Sequence, residues 1–185
     1  MRIQREADYK ISLWDGGYTK ELFLYPENGS YQERNFQIRI STAKIEKEVS
    51  KFTLLPGVER YLMMQEGDVR LVFGDGEEKN LCPRQIIRFM GDEEITSYGT
   101  GMDMNLMLKD GAKGEMQFAQ VPEGEMITLP GNTAVILYVM QGEGTIDGQK
   151  IAMGETVILK NQQVQPPVIN TGISQLACCI FLVTI

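Results

Sequence analysis

The sequence predicts an all-β protein made of two tandem β units, each a small β-barrel or jelly roll, packed together. Three observations carry this expectation. Helix signals are scarce. Apolar residues fall in short runs bounded by Gly, Pro, Asn and Asp, which is the punctuation of strands and turns. One ordered series of motifs also occurs twice.

The elements follow in chain order. "FQIRISTA" alternates Phe36, Ile38 and Ile40 against Gln37, Arg39 and Ser41, the period of a strand. "TAKIEKEVSKF" has irregular apolar spacing and reads as a loop with at most a short turn. Leu55-Pro56-Gly57 then opens the apolar strand that contains "YLMM", and a hairpin follows with Gly74-Asp75-Gly76 between its arms. "RQIIRFMGDEEITSY" supplies another strand and a polar turn. From Met102 to Leu108 the alternation is strict: Met102, Met104, Leu106 and Leu108 against Asp103, Asn105 and Met107. The series then repeats. Leu129-Pro130-Gly131 precedes "AVILYVMQ", a hairpin turns at Asp147-Gly148, and "GETVILKNQQVQPP" resembles the stretch after the first hairpin. "SQLACCIFLVTI" reads as a buried closing strand, free to run back to the first unit. The expected units are residues 1–115, holding the ligand site, and residues 116–185.

The totals narrow the function classes. Acidic and basic residues balance up to Met90, so the net charge of -7 arises beyond it. No basic stripe is present, which argues against a nucleic-acid partner, and a small anion would prefer the first half. No apolar run approaches the ~20 residues of a membrane helix. The amino terminus lacks the apolar centre of a signal peptide. The expectation is a cytoplasmic protein with no membrane partner. Cys82, Cys178 and Cys179 show no metal-binding or redox spacing and read as buried thiols. The chain contains no histidine, which removes histidine-based catalysis and most transition-metal sites. No metal or cofactor is expected.

Candidate site residues come from the polar faces of these strands. Asp103 and Asn105 either face solvent or line an interior, where each needs a partner. Arg39 is the cation best placed by character to pair with Asp103; its other reading is an exposed strand arginine. Arg60 follows the Pro56-Gly57 turn, and is either a carboxylate clamp or a surface arginine. Ala134 stands at the matching place after Pro130-Gly131, so only the first repeat keeps a cation there. Thr19, Glu21 and Ser41 could bind the polar end of an amino-acid-like ligand. Trp14 reads first as core and second as a pocket wall, and the methionines as soft core filler. Gly99-x-Gly101 precedes a strand rather than a helix, so it is not a phosphate loop.

These residues also carry a resemblance. Trp14 is followed by Gly16-Gly17-x-Thr19-x-Glu21. Then come Arg39-x-Ser41-x-Ala43, Ser50-x-Phe52, Pro56-Gly57-x-x-Arg60, Phe89-x-Gly91-Asp92 and Gly99-x-x-x-Asp103-x-Asn105-x-Met107. In this order and spacing the chain resembles the HutD/Ves family of bacterial bicupins. The resemblance implies a bicupin fold and a link to regulation of histidine utilisation. It also implies binding of a small carboxylate-bearing metabolite, such as formylglutamate, without established catalysis. This chain differs in having Thr100 where the family has Pro, Met104 where it has Phe, and Lys109-Asp110 where it has two arginines.

The functional expectation is a metal-independent, regulatory binder of a small anionic metabolite. Arg60, Arg39, Ser41, Asp103, Asn105, Thr19 and Glu21 form its site. Two alternatives are a metal-independent isomerase or lyase with a buried carboxylate base, and a β-scaffold for self-association. A homodimer is compatible with all three.

Overall fold

The computed structural model describes residues 1–130, 133–160, 168–171 and 174–184. Gly131, of the second Pro-Gly pair, and the polar stretch at 161–167 lie outside the described residues. The described chain is all-β apart from a short 3-10 turn at Glu6–Asp8. It divides into two compact units: Lys10–Ala112, and Met1–Tyr9 with Lys113–Ile185.

The Lys10–Ala112 unit carries the strands that matter for function. Strand β1 (Arg2–Gln4) belongs to the other unit. Then follow β2 (Lys10–Trp14), β3 (Gly17–Tyr25), β4 (Ile38–Ile45), β5 (Val49–Lys51) and β6 (Val58–Glu66). The unit closes with β7 (Val69–Phe73), β8 (Glu78–Leu81), β9 (Ile86–Met90), β10 (Ile95–Tyr98) and β11 (Gly101–Lys109). One sheet runs β2-β3-β4-β11-β6-β9 and the other β5-β10-β7-β8. Leu62, Met64, Leu71, Phe73, Phe89 and Ile95 form one apolar cluster drawn from both sheets. A second cluster, Phe36, Leu55, Val58 and Met107, lies in the same unit.

The other unit holds β12 (Gly114–Val121), β13 (Met126–Thr128), β14 (Ala134–Gln141) and β15 (Glu143–Ile146), then β16 (Gln149–Ala152), β17 (Thr156–Leu159), β18 (Val168–Asn170) and β19 (Leu176–Val183). Its sheets run β1-β17-β14-β19-β12 and β13-β18-β15-β16. The internal repeat is visible in these orders. Advancing each label by eight turns β4-β11-β6-β9 into β12-β19-β14-β17, and β5-β10-β7-β8 into β13-β18-β15-β16. Both hairpins form. Asp147 and Gly148 both have positive φ, as a type I′ turn demands. The final strand β19 pairs with β12 and β14 of its own unit, while the amino-terminal β1 pairs with β17.

Three local expectations are corrected. The stretch read as a loop is largely strand, with Thr42–Ile45 in β4 and Val49–Lys51 in β5. Backbone partners on β3, β11 and β10 outweigh its weak local pattern. Cys82 is exposed, between β8 and β9, whereas Cys178 and Cys179 are buried. Trp14 is 39% exposed rather than core, because it ends β2 at a hairpin turn and its ring folds over Gly16. Gly99-x-Gly101 has a structural purpose. Both glycines have positive φ, and a Cβ would strike the backbone carbonyl of Asp68, in the turn after β6, at Gly99, and that of Glu66, at the end of β6, at Gly101.

Candidate functional site

Strand register builds the site from five neighbouring strands, β3, β4, β11, β6 and β9. On one face of the large sheet, one rung aligns Leu24, Arg39, Met107, Arg60 and Phe89. The next aligns Glu21, Ser41, Asn105 and Leu62, and the third Thr19, Ala43, Asp103 and Met64. Side chains alternate along a strand, so all of these share a face. A cavity of about 320 Å³ opens on that face. Its walls include Thr19, Glu21, Arg39, Ser41, Arg60, Asp103 and Asn105, with Trp14, Tyr31 and Phe52.

Asp103 and Asn105 therefore line an interior: their exposures are 7% and 4%. Met104 and Leu106, on the opposite face of β11, are buried as well, so this strand has no solvent face. Arg39, Arg60 and Asp103 are the buried charged residues among those described, and all three belong to this one cavity.

Arg39 does not pair with Asp103. Its Nε donates to Glu21 Oε2 at 2.9 Å, and its Nη1 to Ser41 Oγ at 3.2 Å. Register is the reason. Asp103 lies opposite Ala43, four residues along β4 from Arg39, a separation of ~13 Å. Glu21 sits one strand over and one rung away, within reach of a guanidinium. Asp103 instead accepts the Ala43 backbone N–H on Oδ1 at 3.0 Å.

Arg60 differs from Arg39. Its guanidinium lies 4.8 Å from the Phe52 ring centroid and 5.2 Å from that of Phe89, which is cation–π geometry. No carboxylate pairs with it among the described residues, and its buried Nε has no hydrogen-bond acceptor. Burial lowers its pKa to about 10, against the raising influence of Tyr31 and Asp103. Asn105 Oδ1 is likewise buried without a donor.

Burial pushes Asp103 up to about 7, although Arg60, the Ala43 N–H and Arg39 all favour its ionised form. Desolvation outweighs the neighbouring cations here. The sign of the linkage follows. Folded Asp103 holds its proton up to about 7, while an unfolded Asp releases it near ~3.9. Its contribution is therefore fully present below about pH 4 and is lost as pH rises towards 7. Asp103→Asn keeps an acceptor for Ala43 N–H and cannot ionise. The stability difference between variant and wild type should move in the variant's favour from about pH 4.5 to about pH 8. Urea melts at the two pH values measure it, and a pH-independent difference would contradict the buried carboxyl.

Tyr31 was not legible in the sequence. It sits in the connection between β3 and β4, its ring 4.0 Å from the Arg39 guanidinium and 4.4 Å from that of Arg34. Burial raises its hydroxyl, but the hydrogen bond and charge of Arg34, with the charge of Arg39, outweigh this and bring it below its ordinary value. In the sequence, Phe52 and Phe89 stand out only as members of motifs. Their role as the stack beneath Arg60 depends on pairing that no local pattern encodes.

The second unit is filled differently. Ala134 begins β14, and Val135, Leu137, Val139, Cys178 and Ile180 pack into one apolar cluster. Among the described residues no group of three or more His, Cys, Asp or Glu could hold a metal ion. Among the described residues no helix is long and apolar enough to cross a membrane.

Comparison with known proteins gives the fold and the family of the chain. A conserved protein of unknown function from Pseudomonas aeruginosa superposes with a TM-score of 0.84 at 24% identity, covering 100% of this chain and 98% of that one. HutD from Pseudomonas fluorescens superposes at 0.78 with 22% identity, covering 99% and 97%. Oxalate decarboxylase of Bacillus subtilis, at 9% identity, superposes at 0.71 over 97% of this chain and 76% of its own. The fold is thus all-β with cupin-like neighbours. No curated protein matches the chain. The HutD family model matches residues 6–175, and the chain belongs to the HutD family.

Proposed function

We propose that the protein is a metal-independent, HutD-like bicupin that binds a small carboxylate-bearing metabolite in the Lys10–Ala112 cavity. It would act as a regulatory component in the cytoplasm, in keeping with the resemblance to proteins linked to histidine utilisation. One observation carries the reading: a guanidinium is buried at the cavity wall with no carboxylate in ion-pair contact among the described residues and with its Nε unsatisfied. Burying a cation is costly unless something answers it. A carboxylate answers an arginine with two parallel charge-assisted hydrogen bonds. Around the cavity Arg39 is matched by Glu21, and Asp103 is close to half-protonated at neutral pH, leaving an excess of positive charge. Arg39 and Arg60 flank Met107 on one rung, ~10 Å apart at the backbone, so one small ligand could lie between them. Ser41, Thr19, Asn105 and Glu21 supply polar contacts for its other end.

A thermal-shift screen tests this with acetate, glutarate, glutamate and N-formylglutamate, each with and without EDTA. A ligand that binds only the folded state raises Tm by mass action. The expected result is a carboxylate-specific rise that EDTA leaves unchanged. No shift with any carboxylate, or a shift abolished by EDTA, would overturn the reading.

A second reading is favoured by Asp103 alone. A carboxyl raised to about 7 suits general-base work, which an isomerase or lyase needs. Product formation from a bound carboxylate, lost in Asp103→Asn while binding persists, would select it.

A further inference from the structure

Strand β2 is an open edge of the large sheet, pairing only with β3 among the described residues. Its turn to β3 is the two-residue Asp15-Gly16, so Trp14 and Gly17 form the first hydrogen-bonded pair. By alternation, Ser12 and Lys10 also direct their backbone groups to β3. The N–H and C=O groups of Ile11 and Leu13 then point away from the sheet. These two residues also hold exposed apolar side chains: Leu13 is 84% exposed and Ile11 52%.

Sheet edges are ordinarily blunted by charge, proline, bulges or shortness. The other edges in this unit follow that rule. β5 has only three residues, β8 carries Glu78 and Lys79, and β9 carries exposed Arg88. On β2 the outward face is Ile11 and Leu13 alone. Its one charge, Lys10, alternates onto the other face of the strand, with Ser12 and Trp14.

We propose that β2 is a self-pairing edge: two copies of this chain join antiparallel through β2, about a twofold axis at Ser12. The strand is complementary to itself in this register. Ile11 of one copy faces Leu13 of the other and exchanges both backbone hydrogen bonds with it, and the symmetry repeats the pair. Ile11 and Leu13 bury each other on one face. On the other face Lys10 lies opposite Trp14 of the second copy, a cation against an indole. Ser12 meets Ser12 at a non-hydrogen-bonded position, where opposed Cα atoms approach most closely, at ~4.5 Å. The two large sheets become one continuous sheet. Registers centred on Ile11 or Leu13 lose this match, since each then pairs an apolar residue with its own copy and leaves the other apolar residue unpaired within β2.

A five-residue pairing is small against the ~1,200 Å² of a stable interface, so the dimer is a weak one, in the micromolar-to-millimolar range. Sedimentation of the full chain from low micromolar to submillimolar concentration should show reversible dimerisation. Leu13→Lys, which places like charges across the axis, should weaken it at least ~10-fold. The register is read by cross-linking in a Cys82→Ser background. Ser12→Cys should form a reducible disulfide dimer on mild oxidation. Ile11→Cys should not, because two copies of that position lie beyond the ~7 Å that a disulfide spans. Near-ultraviolet circular dichroism confirms that each variant is folded. A wild type that stays monomeric throughout, a dimer indifferent to Leu13→Lys, or cross-linking equally fast at Ile11 and Ser12 would each overturn the proposal.

Discussion

Arg39→Ala is expected to destabilise the fold by about 3 kcal/mol, the cost of stripping one partner from a buried ion pair. The Arg39 side chain is 6% exposed and that of Glu21 is 17% exposed. Removing the guanidinium strands the Glu21 carboxylate in a largely dry cavity wall. It also removes the donor to Ser41 and the ring contact with Tyr31. Glu21→Gln should cost less, because an amide can still accept from Arg39 Nε. The double variant Arg39→Ala/Glu21→Gln should recover part of the loss, since no uncompensated charge is left behind. Urea denaturation at neutral pH measures all three. A loss under ~1 kcal/mol for Arg39→Ala would mean that solvent screens the pair. The same loss in single and double variants would mean that Arg39 stabilises through packing alone.

The identity of that partner marks where sequence reading succeeds and where it stops. Alternation in "FQIRISTA" and "GMDMNLMLK" placed Arg39 with Ser41 and Asp103 with Asn105, because the period of a strand is a local property of the backbone. The structure keeps both groupings on one cavity face. The partner of Arg39 is a different kind of fact. It depends on the offset between β3, β4 and β11, which long-range packing sets. Nothing local distinguishes a carboxylate one rung away from one two rungs away. The repeat was legible because hairpin turns and Pro-Gly signals are local, and its strand orders agree between the units. Tyr31 was illegible for the opposite reason. It sits in an irregular connection whose path is fixed by what it packs against, here two guanidinium groups. The pKa of Asp103 shows the same limit in energetic form. Neighbouring cations alone argue for a lowered value, and only the depth of burial, a tertiary quantity, reverses the sign.

Arg60→Ala should reduce affinity for the best carboxylate of the screen by at least ~100-fold, leaving the fold nearly as stable as before. The two effects separate because Arg60 makes no ion pair among the described residues, and Asp103, whose ionised form its charge favours, can take up a proton when that charge is removed. A bidentate, charge-assisted contact is worth on the order of 3 kcal/mol or more, which is two decades in Kd. For stability, the loss of contact with Phe52 and Phe89 is opposed by relief of a desolvated cation, whose penalty already lowers its pKa to about 10. These terms are opposite in sign, so the net change should be well below the loss expected for Arg39→Ala. Arg60→Lys sharpens the test, for it keeps the charge but loses the planar fork, and should fall between wild type and alanine. Titration calorimetry supplies the affinities and urea melts the stabilities. Full affinity in Arg60→Ala would move the ligand off this guanidinium. A large stability loss would mean that the cation serves the fold, and its burial would then no longer argue for a bound anion.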